Sequence, residues 1–206
     1  MPKELLTVYE APTPKASLIL AHGAGGGQKS PFMVRVAKGM ATRGVTTATF
    51  DFLYMEQRRS APDRAPVLEQ RWREALGEAR DGKAFAGLPL AIGGKSMGGR
   101  MASHIAAQGV DGVSAVVLLG YPLHPPGKPE QRRDAHLPSI ALPMLFVQGT
   151  RDAFGASDEI AALLPSLQHP TLHVVTGGDH SFKVTGKGKV DPLDEIMDVV
   201  ARFVSG

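Results

Sequence analysis

The sequence predicts an α/β fold in which helices cover both faces of a mostly parallel, doubly wound sheet. Short apolar runs alternate along the chain with amphipathic stretches of helical length. Several of these runs are apolar without interruption, which is typical of strands buried on both faces of a sheet. The chain has 206 residues, of which 43% are hydrophobic, and this is enough to bury one substantial core. We therefore expect a single domain over residues 1–206.

Each element follows from the local pattern. The apolar runs predict seven strands, at Leu5–Tyr9, Leu18–Leu20, Val45–Phe50, Leu90–Ile92, Val113–Leu119, Met144–Val147 and Leu172–Val175. The amphipathic stretches between them predict five helices, at Pro31–Arg43, Val67–Phe85, Met97–Gln108, Ala156–Leu164 and Pro192–Val204. Regular alternation of strand and helix is the pattern of a parallel sheet.

One proline-rich segment, Tyr121–Pro138, breaks this alternation with five of the sixteen prolines and no helical period. Long loops in compact domains are usually functional, and open α/β sheets bind ligands beyond the carboxyl ends of their strands. We expect this loop to form one wall of a ligand site.

Composition limits the function classes. The formal net charge is +3, but basic and acidic residues interleave from Glu56 to Lys83, and only 6% of residues are aromatic. This argues against a nucleic-acid-binding protein. The chain has no cysteine, which excludes disulfides, thiolate metal sites and a cysteine nucleophile. The first residues lack the layout of a signal peptide, and no apolar run is long enough to span a membrane, so we expect a cytoplasmic protein without membrane contact.

The first of three glycine-rich loops, His22–Ser30, follows a predicted strand and resembles a nucleotide-binding loop. As a phosphate loop or as a dinucleotide fingerprint it requires glycine where the chain has Gln28. Asp51 ends the next strand, where an acid that binds ribose would lie. Nucleotide binding therefore stays as a minor alternative.

The second loop contains Gly94-Lys95-Ser96-Met97-Gly98, a Gly-x-Ser-x-Gly pattern between a strand and a helix. A serine on such a sharp turn has a strained backbone, and its neighbours two residues away must be very small because they pack against each other. The turn exposes the serine hydroxyl and directs backbone N–H groups of the helix start towards developing negative charge. Lys95 is expected to stay solvated.

The third loop supplies a general base. His180 is the one histidine after the last predicted strand, and it follows both the serine and the candidate acids in the order Ser, Asp, His. Asp152, after the penultimate strand, is favoured as the acid over Asp179, whose adjacency to His180 hinders contact with the inner ring nitrogen. Of the other histidines, His22 is expected to brace the first glycine loop and His124 to contact a substrate.

Together these motifs resemble α/β-hydrolases, in particular the small lidless branch similar to dienelactone hydrolase. The resemblance extends over nearly the whole chain from Leu18 and implies a three-layer α/β-hydrolase fold without a lid domain. It implies Ser96 as nucleophile, His180 as base and Asp152 as acid. It also implies an oxyanion hole formed by the backbone N–H groups of Met97 and of Ala24 or Gly25. Unlike dienelactone hydrolase, the chain has no cysteine nucleophile, so the lactone substrate is not expected here.

We therefore expect a serine hydrolase that cleaves small esters or thioesters through an acyl-enzyme. The substrate is expected near Gly25, Tyr121 and His124, without a metal or an organic cofactor. The alternative is a non-catalytic binding or scaffold protein on the same fold, motivated by the basic pair Arg132-Arg133.

Overall fold

The computed structural model describes residues 4–185 and 190–206. Its strands are β1 Thr7–Tyr9, β2 Ala16–Ala21, β3 Val45–Phe50, β4 Leu90–Lys95, β5 Ala115–Leu119, β6 Met144–Gly149 and β7 Pro170–Val175. Its α-helices are α1 Pro31–Ala41, α2 Leu53–Glu56, α3 Ala65–Asp81, α4 Met97–Ala107, α5 Ser157–Ala161 and α6 Leu193–Ser205. Single turns of 3₁₀-helix lie at Lys83–Phe85, Leu137–Ser139 and Leu164–Ser166.

The seven strands form one sheet in the order β1-β3-β2-β4-β5-β6-β7. Among these seven strands, β1 runs antiparallel to its neighbour β3, and the other neighbouring pairs are parallel. The carboxyl ends of β2, β4 and β6 therefore lie along one edge of the sheet, together with that of β7. The loops that follow these ends contain the candidate site residues.

Helices cover both faces of the sheet, which gives the three layers expected from the sequence. In β2, Leu18 and Leu20 pack into the core beneath α1 and α6. Ile19 and Ala21, on the opposite face, pack into the core beneath α3 and α4. This alternation within a fully apolar strand is what burial of both faces requires.

The predicted strands and helices are confirmed, with changes at their ends. The first strand is shorter than Leu5–Tyr9, because the N–H groups of Leu5 and Leu6 donate to the carboxylate of Glu78 at 3.0 and 2.9 Å instead of to a strand. The helix predicted to reach Phe85 ends at Asp81, where Gly82 is extended. The short helix α2 was missed, since four residues are too few to show a period.

The chain between β5 and β6 contributes a loop and the 3₁₀ turn Leu137–Ser139, and no lid domain is evident among the described residues. Over the same parts of the chain, no helix combines the length and apolar character needed to cross a membrane.

Candidate active site

Ser96 lies on the sharp turn between β4 and α4, with φ 51° and ψ −116°. A non-glycine residue rarely adopts such a positive φ, and it persists only where the surroundings enforce it. Here two glycines allow the turn. A Cβ on Gly94 would lie 2.5 Å from the carbonyl oxygen of Ala21, and one on Gly98 would lie 2.4 Å from the same atom. The buried Trp72 of α3 also donates from Nε1 to the carbonyl of Gly98 at 3.2 Å.

The structure brings Ser96, His180 and Asp152 together from three loops. His180 Nε2 lies 2.8 Å from Ser96 Oγ, and His180 Nδ1 lies 2.8 and 3.0 Å from the two carboxylate oxygens of Asp152. Because a carboxylate only accepts hydrogen bonds, Nδ1 carries the ring proton and Nε2 can accept the proton of the Ser96 hydroxyl. Asp179 is not the partner of this ring. Its carboxylate accepts from the backbone N–H groups of Ser181 and Lys183.

The Asp152 carboxylate is buried and held in place by several donors. The backbone N–H of Phe154 donates to Oδ1 at 2.8 Å, and the side chain of Gln148 donates to Oδ2 at 3.0 Å. Gln148 is itself fully buried at the end of β6. The sequence did not predict a role for Gln148, since a polar residue near the end of an apolar strand can equally be solvent-exposed or hydrogen-bonded in the core.

The backbone N–H groups of Ala24, Gly25 and Met97 lie near Ser96 and have no protein acceptor within the described residues. Met97 is the first residue of α4, where helical N–H groups lack partners inside the helix. Ala24 and Gly25 lie in the loop after β2 and line the same cavity as Ser96. These three donors are the candidates for an oxyanion hole.

Two buried side chains anchor the loop after β2 from behind. His22 Nδ1 donates to the carbonyl of Gly23 at 2.8 Å, as its predicted bracing role requires, and its Nε2 accepts from the backbone N–H of Phe52 at 3.2 Å. The hydroxyl of Tyr54 donates to the carbonyl of Ala24 at 3.1 Å. Burial lowers the pKa of His22, which favours the neutral ring that these two contacts need. Burial raises the pKa of Tyr54 to about 12 and so keeps its hydroxyl protonated.

A cavity of about 560 Å³ opens above Ser96 and His180. Its walls are the glycine loop after β2, the start of α1 and the loop after Asp152. The lining residues are Gly23, Ala24, Gly25, Gly26, Ser30, Phe32, Met33, Lys95, Ser96, Phe154, His180 and Ser181. The Phe154 ring also packs on the His180 ring, with centroids 4.2 Å apart. The sequence did not reveal Phe32, Met33 and Phe154 as cavity residues, because apolar side chains in loops and at helix starts usually belong to the core.

Lys95 is only partly exposed and its ammonium group is held by protein groups, contrary to expectation. Its Nζ donates to the backbone carbonyl of His180 and lies 5.2 Å from the ring centroid of Phe182. Burial lowers the pKa of Lys95 to about 8, although the carboxylates of Asp152 and Asp179 oppose this change.

The proline-rich segment does not form a wall of the described cavity, and two predicted substrate contacts need correction. Tyr121 is fully buried, and its hydroxyl donates to the carbonyl of Arg133 at 2.6 Å. His124 is buried, with its ring between the carbonyl of Pro125 and the carboxylate of Glu159. The segment folds inwards because the side chain of Gln148 accepts from the N–H of Tyr121 at 2.8 Å. Only Gly25 among the three predicted substrate contacts lines the cavity.

The contacts of the loop after β2 do not favour nucleotide binding. The backbone N–H and the side-chain amide of Gln28 both donate to the Asp51 carboxylate, at 2.7 and 3.3 Å. The acid that would bind ribose is therefore already bonded to the loop.

A second groove, of about 660 Å³, lies between α1 and α6, but its Arg35 and Arg43 are paired with Asp194. No cluster of three or more metal-binding side chains is found in residues 4–185 and 190–206.

Comparison with known families assigns the fold. The family described as "Alpha/beta hydrolase domain" matches residues 14–205, nearly the whole chain. The chain belongs to the α/β-hydrolase family. The resemblance inferred from the sequence is thereby confirmed.

Solved structures agree with this fold. The dienelactone hydrolase of Anabaena variabilis is 22% identical, with a TM-score of 0.73 over 96% of this chain and 88% of that one. A lidless α/β serine hydrolase of Xanthomonas campestris is 18% identical, with a TM-score of 0.72 and coverage of 96% and 88%. Est1E of Butyrivibrio proteoclasticus, with ferulic acid bound, is 16% identical, with a TM-score of 0.75 and coverage of 96% and 93%. At these identities the likeness extends to the fold.

Proposed function

We propose that this α/β-hydrolase-family protein is a serine hydrolase that cleaves small carboxylic esters or thioesters through an acyl-enzyme on Ser96. The observation that carries the proposal is the continuous hydrogen-bond chain from the Ser96 hydroxyl through the His180 ring to the Asp152 carboxylate. It lies at the edge of a cavity large enough for a small acyl compound. A hydroxyl needs such a base to be nucleophilic at neutral pH.

In the proposed acylation step, His180 Nε2 takes the proton from Ser96 as Oγ attacks the carbonyl carbon of the ester. The imidazolium is stabilised by Asp152, and the proton then passes to the leaving alcohol or thiol as the carbon–oxygen or carbon–sulfur bond breaks. Water attacks the acyl-enzyme in the second step with the same base, which releases the acid and restores Ser96. General acid–base assistance of this kind contributes roughly 10²–10⁴ in rate.

The carbonyl oxygen becomes negatively charged in both steps, and preorganised donors must stabilise it. The N–H groups of Met97 and Ala24 are proposed to fill this role, with Gly25 as the alternative to Ala24. A donor of this type is worth about 3 kcal/mol of transition-state stabilisation.

The cavity walls point to the kind of acyl group. Phe32, Met33 and Phe154 offer apolar contact, and the polar side chains of the lining belong to Ser30, Lys95, Ser96, His180 and Ser181. Since Est1E has been seen with ferulic acid bound, aromatic acyl esters belong in a substrate panel beside short aliphatic ones. We expect the best substrates to be neutral esters whose acyl group fits between these three side chains.

Labelling with a fluorophosphonate probe tests the proposal, because such probes react with an activated serine. The wild-type protein should be labelled at Ser96, and Ser96→Ala should abolish both labelling and ester hydrolysis. Ser166→Ala removes an exposed hydroxyl outside the triad and should be labelled like the wild type. Labelling at another serine would refute the assignment of the nucleophile.

The alternative of a non-catalytic binding protein was motivated by Arg132 and Arg133. Arg132 forms an ion pair with Asp134 at 2.6 Å, so the two arginines do not present two free cations to a partner. Lack of labelling in a folded wild-type protein, with no hydrolysis across the panel, would favour the binding protein.

A further inference from the structure

Lys95 connects the nucleophile turn to the segment that contains the base. It is the last residue of β4 and directly precedes Ser96. Its ammonium group donates to the backbone carbonyl of His180 and lies over the ring of Phe182, two residues further along the same segment. One side chain therefore joins the loop of the nucleophile to the loop of the base.

The ammonium group lies where the loops of the triad meet. A Cβ on Gly120, the residue directly after β5, would lie 2.9 Å from Lys95 Nζ, 3.2 Å from the carbonyl oxygen of His180 and 3.6 Å from Asp152 Oδ2. These three atoms thus converge on the space that the missing side chain leaves. The ammonium group is therefore a neighbour of both the acid and the base of the triad.

The segment from Gly177 to Lys183 has little regular structure of its own. Asp179 fixes its internal shape, since the Asp179 carboxylate accepts from the backbone N–H groups of Ser181 and Lys183 at 2.8 Å each. Phe182 has φ 62°, an unfavourable value for a residue with a side chain. The start of the segment is also tied to the loop after β6, where the N–H of Arg151 donates to the carbonyl of Gly178 at 2.9 Å and the N–H of Gly177 donates to Thr150 Oγ1 at 2.8 Å. The Lys95 contact adds a constraint towards β4 at His180 itself.

We propose that Lys95 is a positioning residue, whose ammonium group holds the segment of residues 177–183 so that the His180 ring stays within hydrogen-bond distance of Ser96. This inference rests on the proposed function. It does not require Lys95 to touch the substrate or the reacting atoms. Withdrawing even part of a cation from water destabilises the fold, so an apolar side chain would be favoured at this partly buried position if packing were its only task.

The charged groups around Lys95 determine how the contact responds to pH. Asp152 from the loop after β6 and Asp179 from the loop after β7 attract the ammonium group, and burial nevertheless lowers its pKa to about 8. Above that pH the group is neutral, and its hydrogen bond to the His180 carbonyl is no longer charge-assisted. The rate of Ser96 acylation should therefore decline above about pH 8 in the wild type.

The test compares Lys95→Met and Lys95→Arg with Lys183→Met. Lys183 is an exposed lysine of the same segment, so its replacement removes an equal charge without the contact. We expect Lys95→Met to slow fluorophosphonate labelling and kcat on the order of 10- to 100-fold, with KM changed by less than about threefold. Lys95→Arg should recover part of the rate, and Lys183→Met should match the wild type.

Two further readouts separate positioning from a purely structural role. The decline of the rate above about pH 8 should be absent in Lys95→Met and displaced to higher pH in Lys95→Arg. Hydrogen exchange of residues 177–183 should be faster in Lys95→Met, without a lower melting temperature. Wild-type rates and an unchanged pH profile in a folded Lys95→Met variant would overturn the inference.

The outcomes also distinguish this inference from the proposed function. If the wild type is not labelled at Ser96, the proposed function fails, and hydrogen exchange alone decides whether Lys95 holds the segment. Faster exchange in Lys95→Met but not in Lys183→Met would support that constraint, and equal exchange in all variants would refute it.

Discussion

The buried ring of His22 donates a hydrogen bond from Nδ1 to the carbonyl oxygen of Gly23 at 2.8 Å. That carbonyl belongs to the same planar peptide as the N–H of Ala24, and in a trans peptide the two groups point in opposite directions. Holding the carbonyl from the core therefore directs the Ala24 N–H away from it. Tyr54 has the same relationship to the next peptide, because its hydroxyl binds the carbonyl of Ala24 and so orients the N–H of Gly25.

Replacing these two anchoring side chains one at a time shows which N–H group is the second oxyanion donor. If the donor is the N–H of Ala24, Tyr54→Phe should lower kcat less than about threefold. His22 still holds the peptide between Gly23 and Ala24 in that variant. His22→Phe should lower kcat on the order of tenfold or more, because the Ala24 peptide can then rotate. Steady-state rates of both variants, compared after thermal melts have verified folding, check this. The reverse order of effects would assign the donor to Gly25.

Two glycine substitutions, one beside the nucleophile turn and one inside α3, should have opposite effects on stability. Gly98→Ala places a Cβ 2.4 Å from the carbonyl oxygen of Ala21, so β2 or α4 must move, and we expect a loss of more than about 3 kcal/mol or failure to fold. Gly77→Ala on α3 has no heavy atom within 4 Å of the new Cβ and no positive φ. It should stabilise the protein by about 0.5–1 kcal/mol, because alanine favours a helix over glycine. Denaturant unfolding measures both changes.

The central strands could be predicted from the sequence, because an uninterrupted apolar run bounded by loop residues is typical of a strand that is buried on both faces. In β5, for example, all five residues of Ala115–Leu119 are buried. The same pattern predicted that Ser96, Asp152 and His180 lie at one edge of the sheet, since parallel strands end together. It could not place side chains whose direction depends on the path of a loop. Gly120 turns the chain with φ 63°, and Tyr121 then points into the core.

Lys95 shows the same limit at the end of a strand. Strand periodicity gives the face on which a residue lies, but it does not show that another loop will cover that position. The segment of His180 comes from 85 residues further along the chain and closes over the ammonium group. Long-range contacts of this kind have no signature in the local sequence, and charge alone predicts the opposite environment.

The pair His104 and His136 predicts a dependence of stability on acid. Their rings lie 4.3 Å apart, and His136 Nε2 lies 2.7 Å from Ser103 Oγ. Burial, with smaller contributions from His104 and Arg100, lowers the pKa of His136 from 6.5 to about 4. Between these values the unfolded chain binds a proton that the folded protein does not, so the stability from this residue falls as the pH falls from 6.5 towards 4.

His136 should contribute at most about 1.4 kcal/mol per pH unit to the slope of that fall, because it takes up one proton on unfolding. His136→Gln keeps a polar group that can reach Ser103 but does not titrate, so its free energy of unfolding should fall less steeply between pH 6.5 and pH 4. His169→Gln replaces an exposed histidine and should keep the wild-type slope. Urea unfolding of the three proteins at half-unit pH intervals measures the difference. Parallel curves for the wild type and His136→Gln would show that His136 titrates normally in the folded protein, and the acid sensitivity would then have to come from other groups.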